Sequence, residues 1–129
     1  MPQKSIIIFV CEHGAAKSIV AAAHFNRLAE QLGLGLRALA RGTNPDQKLS
    51  PQTVQGLSED GLSPTESIPQ KLTEADLDAA QCVVTFCELP GEYRRPVRVE
   101  RWDDVPPVSE NYKHARDVII EHIRRMLDQ

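Results

Sequence analysis

Unbroken runs of apolar and β-branched residues indicate the buried strands of this chain. SIIIFV occupies residues 5–10, and CVVTFC occupies residues 82–87. Runs of this kind are typical of strands that are buried on both faces of a parallel sheet. Shorter apolar stretches at 36–40 and 97–102 predict two more strands. The hydrophobic pattern therefore predicts four strands in all.

Helical spacing and capping residues predict two helices in the first half of the chain. Apolar residues recur at helical spacing from about residue 16 to 32, and Gly33 is placed to end that helix as a C-cap. A second helix is predicted at about 51–59. Ser50 is its expected N-cap, and Pro51 occupies its first position.

Two further helices are predicted in the second half. The first lies at about 73–80 and begins with Thr73 and Asp76, a pair that resembles a capping box. The last helix is expected to start from Ser109 as N-cap. Its apolar face consists of Tyr112, Ala115, Val118, Ile119, Ile123 and Met126.

The alternation of strands and helices predicts an α/β fold with a parallel sheet and right-handed crossovers. A length of 129 residues suits a single domain that spans residues 1–129.

The formal net charge of −3 provides no strong positive field for nucleic acid or an anionic membrane, so neither is an expected partner. The N-terminal stretch has neither a signal-peptide pattern nor a membrane-spanning length, which predicts a cytoplasmic protein.

Three cysteines, Cys11, Cys82 and Cys87, make an odd count that internal disulfides cannot use up. Their spacing matches no zinc motif, and we expect neither a metal nor another cofactor. Cys11 follows the first strand, and the small residues of EHGAA at 12–16 follow it. In open parallel sheets, ligands bind at this edge, where the amides of a helix N-terminus are unpaired.

The loop after Cys11 predicts an anion-binding nest that leads into the first helix. Gly14 can take a positive φ at little cost, so that the loop amides converge on one point. The helix N-terminus and Lys17 would stabilise a Cys11 thiolate, and the Ser18 hydroxyl could donate to its sulfur. The alternative is an inert cysteine that is buried at the end of a strand. The combination of features at one place favours a functional cysteine.

The segment CEHGAAKS at 11–18 resembles the C-(x)5-R-S phosphate loop of low-molecular-weight tyrosine phosphatases and thioredoxin-coupled arsenate reductases. ARGTNP at 40–45 and LTEADLDAAQCVVTFC at 72–87 are also similar to segments of that superfamily. The resemblance implies a flavodoxin-like fold, with strand order 2-1-3-4 and helices on both faces of the sheet. It implies that Cys11 is the nucleophile. The oxyanion-binding residues that it implies are Glu12, His13, Gly14, Ala15, Ala16, Lys17 and Ser18.

The chain departs from the family pattern at three places. Lys17 replaces the arginine that grips two oxygens with a planar fork, and lysine supplies charge without that geometry. Gly14 replaces an asparagine of the loop. The family's general acid is an aspartate directly before a proline, whereas WDDVPP at 102–107 has none in that place. Asp104, rather than Asp103, is our candidate acid, and an acidic turn without catalytic function is an equal alternative.

The two remaining cysteines differ in position. Within one strand they are roughly 16 Å apart at ~3.3 Å per residue, so they cannot pair with each other there. Cys82 begins the predicted strand and is expected in the core, whereas Cys87 ends it on the edge that carries Cys11. VVTFC resembles the VVTxC motif of the arsenate reductases, which implies that Cys87 resolves the arsenic adduct on Cys11. ELPGEYRRP at 88–96 lacks the family's second resolving cysteine.

Three functions are consistent with these residues. The first hypothesis is an arsenate reductase in which an external thiol, from thioredoxin, glutaredoxin or a small molecule, restores the reduced enzyme. The second is a phosphatase that works through a Cys11 phosphocysteine and does not use Cys87. The third is a non-catalytic module that binds phosphate or another protein. Tyr93-Arg94-Arg95 either guides an anionic substrate or forms a solvated basic turn.

Overall fold

The computed structural model describes residues 5–93 and 96–128. Within these ranges the chain forms a sheet of four strands, in which every neighbouring pair is parallel and the order is β2-β1-β3-β4. The strands are β1 (Ile6–Cys11), β2 (Arg37–Gly42), β3 (Ala80–Thr85) and β4 (Arg98–Arg101). The sequence-based prediction of fold class and strand order is confirmed.

The helices cover both faces of this sheet, as expected. They are α1 (Lys17–Gln31), α2 (Pro51–Glu59), α3 (Glu74–Ala79) and α4 (Tyr112–Leu127). The larger core joins one face of the sheet to α1, α2 and α4, and it contains Phe9 and Phe25. The smaller core lies on the opposite face beside α3 and contains Ile8 and Val10. Successive residues of β1 thus enter different cores, which explains why that strand is apolar throughout.

Local capping signals identified most helix ends correctly. The Ser50 side chain accepts a hydrogen bond from the Thr53 amide at the start of α2. Thr73 and Asp76 form a complete capping box at the start of α3. Gly33, with φ +67°, follows the last turn of α1. These interactions are local, so the sequence can specify them without knowledge of the tertiary fold.

Three predicted elements had wrong boundaries. β2 ends at Gly42, two residues beyond the predicted end at residue 40. The N-cap of α4 is Asn111 instead of Ser109, because the amides of residues 110 and 111 both bond to the Pro107 carbonyl in a turn that delays the helix. β3 begins at Ala80 and ends at Thr85. Cys82 is consequently inside the strand, and Cys87 lies two residues beyond its end. The pairing of β3 with β4 reaches only Thr85 and Arg101, so the chain bends away after that point.

A polar network is buried between α1 and α4. The Asp60 carboxylate lies 3.3 Å from His24 Nε2, and it accepts hydrogen bonds from Tyr112 at 2.8 Å and Arg116 at 2.9 Å. Burial lowers the pKa of His24, and the attraction of Asp60 offsets only part of this effect. Burial alone would raise the pKa of Asp60, but the Tyr112 hydrogen bond and the Arg116 charge bring it below its usual range. His24 therefore packs as a neutral side chain.

None of the helices that the structure describes is both long enough and apolar enough to cross a lipid bilayer.

Candidate active site

The loop at residues 12–16 connects β1 to α1, and the neighbouring 43–50 segment holds its carbonyl groups. Four backbone amides of this segment donate hydrogen bonds of 2.7–3.2 Å to backbone carbonyls: Thr43 to Cys11, Asn44 to Glu12, Asp46 to His13, and Ser50 to Ala15. In the described part of the chain, no amide of the loop itself donates to a backbone carbonyl. The carbonyls are thus occupied by the 43–50 segment, and the amides remain available to an anion.

A close contact between two glycines fixes the path of this loop. Gly14 has φ +61°, the left-handed conformation expected from the sequence. A Cβ on Gly42, the last residue of β2, would lie 2.7 Å from the Gly14 nitrogen. Backbone atoms cannot yield to such a contact as a flexible side chain can. The tertiary structure therefore requires a glycine at position 42, for which the sequence analysis had no specific role.

Cys11 is the last residue of β1, and its side chain is 8% exposed. Its Sγ lies 3.1 Å from the hydroxyl of Ser18, which is fully buried in the first turn of α1. Ala16, the N-cap of α1, provides no side-chain cap for the first amides of that helix. When Cys11 is ionised, the Ser18 hydroxyl can donate to the thiolate, and the positive end of α1 favours its charge.

A cavity of about 750 Å³ opens above the Cys11 loop. It brings together many of the predicted site residues, namely Cys11, Glu12, His13, Ala15, Ala16, Lys17 and Cys87. The 46–51 segment and Pro107, Val108 and Ser109 complete the wall with Phe86. Gly14 and Ser18 are not part of the lining, because Gly14 packs on Gly42 and Ser18 lies behind the sulfur.

The three cysteines lie in different electrostatic environments. Burial raises the pKa of Cys87, and the negative charges of Cys11 and Glu12 raise it further. Cys82 packs in the larger core, as predicted, where burial and the nearby Glu100 raise its pKa to about 11. The raised pKa values keep the Cys87 and Cys82 thiols protonated near neutral pH, and Cys82 is an inert thiol of the core.

The structure does not bring the predicted acid to the cavity. Asp104 Oδ1 lies 2.6 Å from His122 Nε2 on α4, and this hydrogen bond lowers the pKa of the Asp104 carboxyl. The Asp103 carboxylate pairs with Arg101 at 2.5 Å. Neither aspartate is among the described residues that line the cavity. An ionised Asp104 that is bound to His122 has no proton to give at neutral pH.

Asp46 is a cavity residue that the sequence analysis missed. Its carboxylate lies 3.2 Å from Nδ1 of His13. The sequence RGTNPD predicted a turn, but nothing in that sequence indicated that the turn packs against the Cys11 loop.

Arg94 and Arg95, for which a substrate-guiding role was considered, lie outside the described residues. No cluster of three potential metal ligands occurs in the part of the chain that the structure describes.

The proteins that are similar to this chain include both arsenate reductases and a tyrosine phosphatase. The chain is 24% identical over 123 residues to a putative arsenate reductase of Halobacterium salinarum, with 93% of this chain and 87% of that protein covered. The solved arsenate reductase of Archaeoglobus fulgidus has a TM-score of 0.80 at 25% identity, over 95% of this chain and 99% of that chain. A low molecular weight protein tyrosine phosphatase from T. tengcongensis has a TM-score of 0.82 at 20% identity, over 95% and 97% respectively.

A protein-family model also matches most of the chain. The model of the low molecular weight phosphotyrosine protein phosphatases matches residues 6–105. This range begins with β1 and includes the Cys11 loop, the 43–50 segment and all four strands. Since the whole sheet and the whole Cys11 loop fall within this range, the chain belongs to the low molecular weight phosphotyrosine protein phosphatase family.

Proposed function

We propose that this protein reduces arsenate, with Cys11 as the attacking thiolate and Cys87 as the resolving thiol. The observation that carries the proposal is that Cys87 lines the same cavity as Cys11. A phosphatase that works through a phosphocysteine has no use for a second thiol at this place. The names of the relatives from Halobacterium salinarum and Archaeoglobus fulgidus are in accord with this choice.

In the first step, the Cys11 thiolate attacks arsenic, and one arsenate oxygen departs as water after it is protonated. Amides of the loop and the Lys17 ammonium hold the remaining oxygens. The Ser18 hydroxyl stabilises the thiolate before attack. Lysine supplies a positive charge without a rigid fork, so the orientation of the anion depends chiefly on the amides.

In the second step, the Cys87 thiolate attacks the sulfur of Cys11. A disulfide forms between the two cysteines, and the electron pair of the broken sulfur–arsenic bond goes to arsenic. Arsenic is thereby reduced from the +5 to the +3 state and leaves as arsenite, while the two thiols are oxidised. An external thiol of thioredoxin, glutaredoxin or a small molecule then reduces the disulfide.

The charge distribution sets the order of these steps. The negative charge of Cys11 helps to keep the Cys87 thiol protonated. Once Cys11 is bonded to arsenic, its thiolate charge is gone, and Cys87 can lose its proton more easily. Burial, the larger cause of the raised Cys87 pKa, persists after the first attack, and loss of the Cys11 charge makes the resolving thiol easier to ionise than before.

Intact-mass measurement of the reduced protein after incubation with arsenate tests this proposal. We expect the wild type to lose two hydrogens per chain as the Cys11–Cys87 disulfide forms. Cys87→Ser should abolish this change. Cys82→Ser is the matched control, because it removes a thiol that lies in the core, and it should still form the disulfide. If arsenate yields no disulfide in the wild type, or if Cys87→Ser behaves like the wild type, the proposal is wrong.

The alternative proposal is a phosphomonoesterase, and the size of the cavity favours it. A volume of about 750 Å³ exceeds what a four-oxygen anion fills, and Leu49, Phe86 and Val108 give it an apolar wall. Turnover of an aryl phosphate that is lost in Cys11→Ser and kept in Cys87→Ser would select this reaction. If phosphate binds without turnover of either substrate, and Lys17→Arg restores turnover, the protein is a binding module.

A further inference from the structure

We propose that His13, oriented by Asp46, donates the proton to the oxygen that leaves when Cys11 attacks. This inference rests on the proposed function, and it assigns a donor that neither Asp103 nor Asp104 supplies. The juxtaposition that carries it is an imidazole on the nucleophile loop and a carboxylate on the 43–50 segment, both of which line the Cys11 cavity.

The geometry of His13 suits a donor. Nδ1 lies 3.2 Å from Asp46 Oδ1, and the His13 carbonyl accepts a 3.0 Å hydrogen bond from the Asp46 amide. One residue thus fixes both the backbone and the ring of His13. The other ring nitrogen, Nε2, is 3.7 Å from Glu12 Oε2, beyond hydrogen-bond reach, so that it is available to a ligand. A carboxylate on one nitrogen orients the ring for proton transfer through the other.

The other titratable groups of the cavity are poorer donors. Within the described lining, these groups are Cys11, Glu12, Lys17, Asp46, Lys48 and Cys87. The two thiols are assigned to attack and resolution, and the ammonium groups hold their protons too tightly near neutral pH. The side chains of Glu12 and Asp46 are 63% and 54% exposed, and carboxyl groups in water are ionised at that pH. Imidazole exchanges its proton in this range.

The proton balance of the step is complete without another reactant. The sulfur–arsenic bond forms as one arsenic–oxygen bond breaks, and the departing hydroxyl takes the Nε2 proton and leaves as water. Asp46 stays ionised throughout and compensates the imidazolium charge beforehand. Neutral His13 then regains a proton from solvent, to which its half-exposed ring has direct access. With a phosphomonoester, the same proton goes to the departing alkoxide or phenoxide.

Single-turnover kinetics of His13→Gln test the assignment. We expect arsenate-dependent disulfide formation to slow by about 10²-fold or more, the usual range for loss of a general acid. Protection of Cys11 from alkylation by inorganic phosphate should stay within about twofold of the wild type. The fall in rate at alkaline pH that a protonated donor implies should disappear in His13→Gln. Asp46→Asn should slow the step by a smaller factor, because the ring keeps its donating nitrogen but loses the carboxylate that orients it.

His114→Gln is the matched control, since His114 is an exposed histidine on α4, and it should react at the wild-type rate. If aryl phosphates are turned over, His13→Gln should slow phenyl phosphate more than 4-nitrophenyl phosphate, whose leaving group needs less protonation. An active wild type with His13→Gln at a similar rate and pH profile overturns this assignment alone. Equal losses of rate and phosphate protection also overturn it, since His13 would then only shape the loop. A wild type that is inactive on all these substrates overturns the proposed function, and the donor with it.

Discussion

The substitution Gly42→Ala probes the contact between two glycines that fixes the path of the Cys11 loop. The new Cβ would lie 2.7 Å from the Gly14 nitrogen and 2.9 Å from the His13 carbonyl carbon. Gly42 cannot retreat easily, because its amide bonds to the Gln70 carbonyl at 2.8 Å and its own carbonyl accepts from Leu72 at 2.9 Å. The strain must therefore move the loop, and with it the amides that would bind an oxyanion.

The expected cost follows from two opposing effects. Inserting a carbon into a packed region typically costs about 1–3 kcal/mol. Replacing glycine by alanine recovers about 0.4–1 kcal/mol, because the unfolded chain becomes less flexible. The net loss in the free energy of unfolding is thus about 0–2.6 kcal/mol. For a domain of this size, that loss corresponds to a fall in Tm of up to roughly 12 °C.

Thermal denaturation and phosphate protection of Cys11 against alkylation measure the two consequences. Gly35→Ala is the control, because a Cβ at that position meets nothing within 4 Å. It should raise Tm by a few degrees, opposite in sign to Gly42→Ala, and leave phosphate protection unchanged. If Gly42→Ala melts at or above the wild-type temperature and phosphate still protects Cys11, the glycine contact does not control the loop.

Two further predictions concern a buried hydrogen bond and the buried polar network. Ser18→Ala removes a hydrogen bond to the Cys11 thiolate, which is worth about 1.5–3 kcal/mol. Alkylation of Cys11 at neutral pH should therefore slow by roughly 10- to 100-fold. An unchanged rate would exclude Ser18 as a donor. Folding lowers the pKa of His24 from its usual value of 6.5. As the pH falls below about 6.5, His24 therefore takes up a proton in the unfolded chain before it does so in the folded chain. The free energy of unfolding in urea should decrease over that range. His24→Gln should flatten this decrease, and a slope equal to that of the wild type would contradict the assignment.

Local patterns predicted the elements of the fold well, because the interactions that form them are local. The apolar run at the start of the chain became β1, and the capping box at Thr73 became the start of α3. The turn at residues 107–111 was not recognised, so the start of α4 was placed at Ser109. A turn that is closed by one carbonyl has a weaker sequence signature than a capping serine.

The sequence by itself determined the fold class, the order of the elements, and the presence of Cys11 at the end of a strand before a loop of small residues that opens a helix. Hydrophobic periodicity, capping residues and the spacing of CEHGAAKS carry that information along the chain. Only the tertiary structure decided that Gly42 packs on Gly14, that Asp46 meets His13, and that Asp104 turns away to His122. Each of these contacts joins residues far apart in sequence or on different loops, and their meeting depends on how strands and helices pack in space.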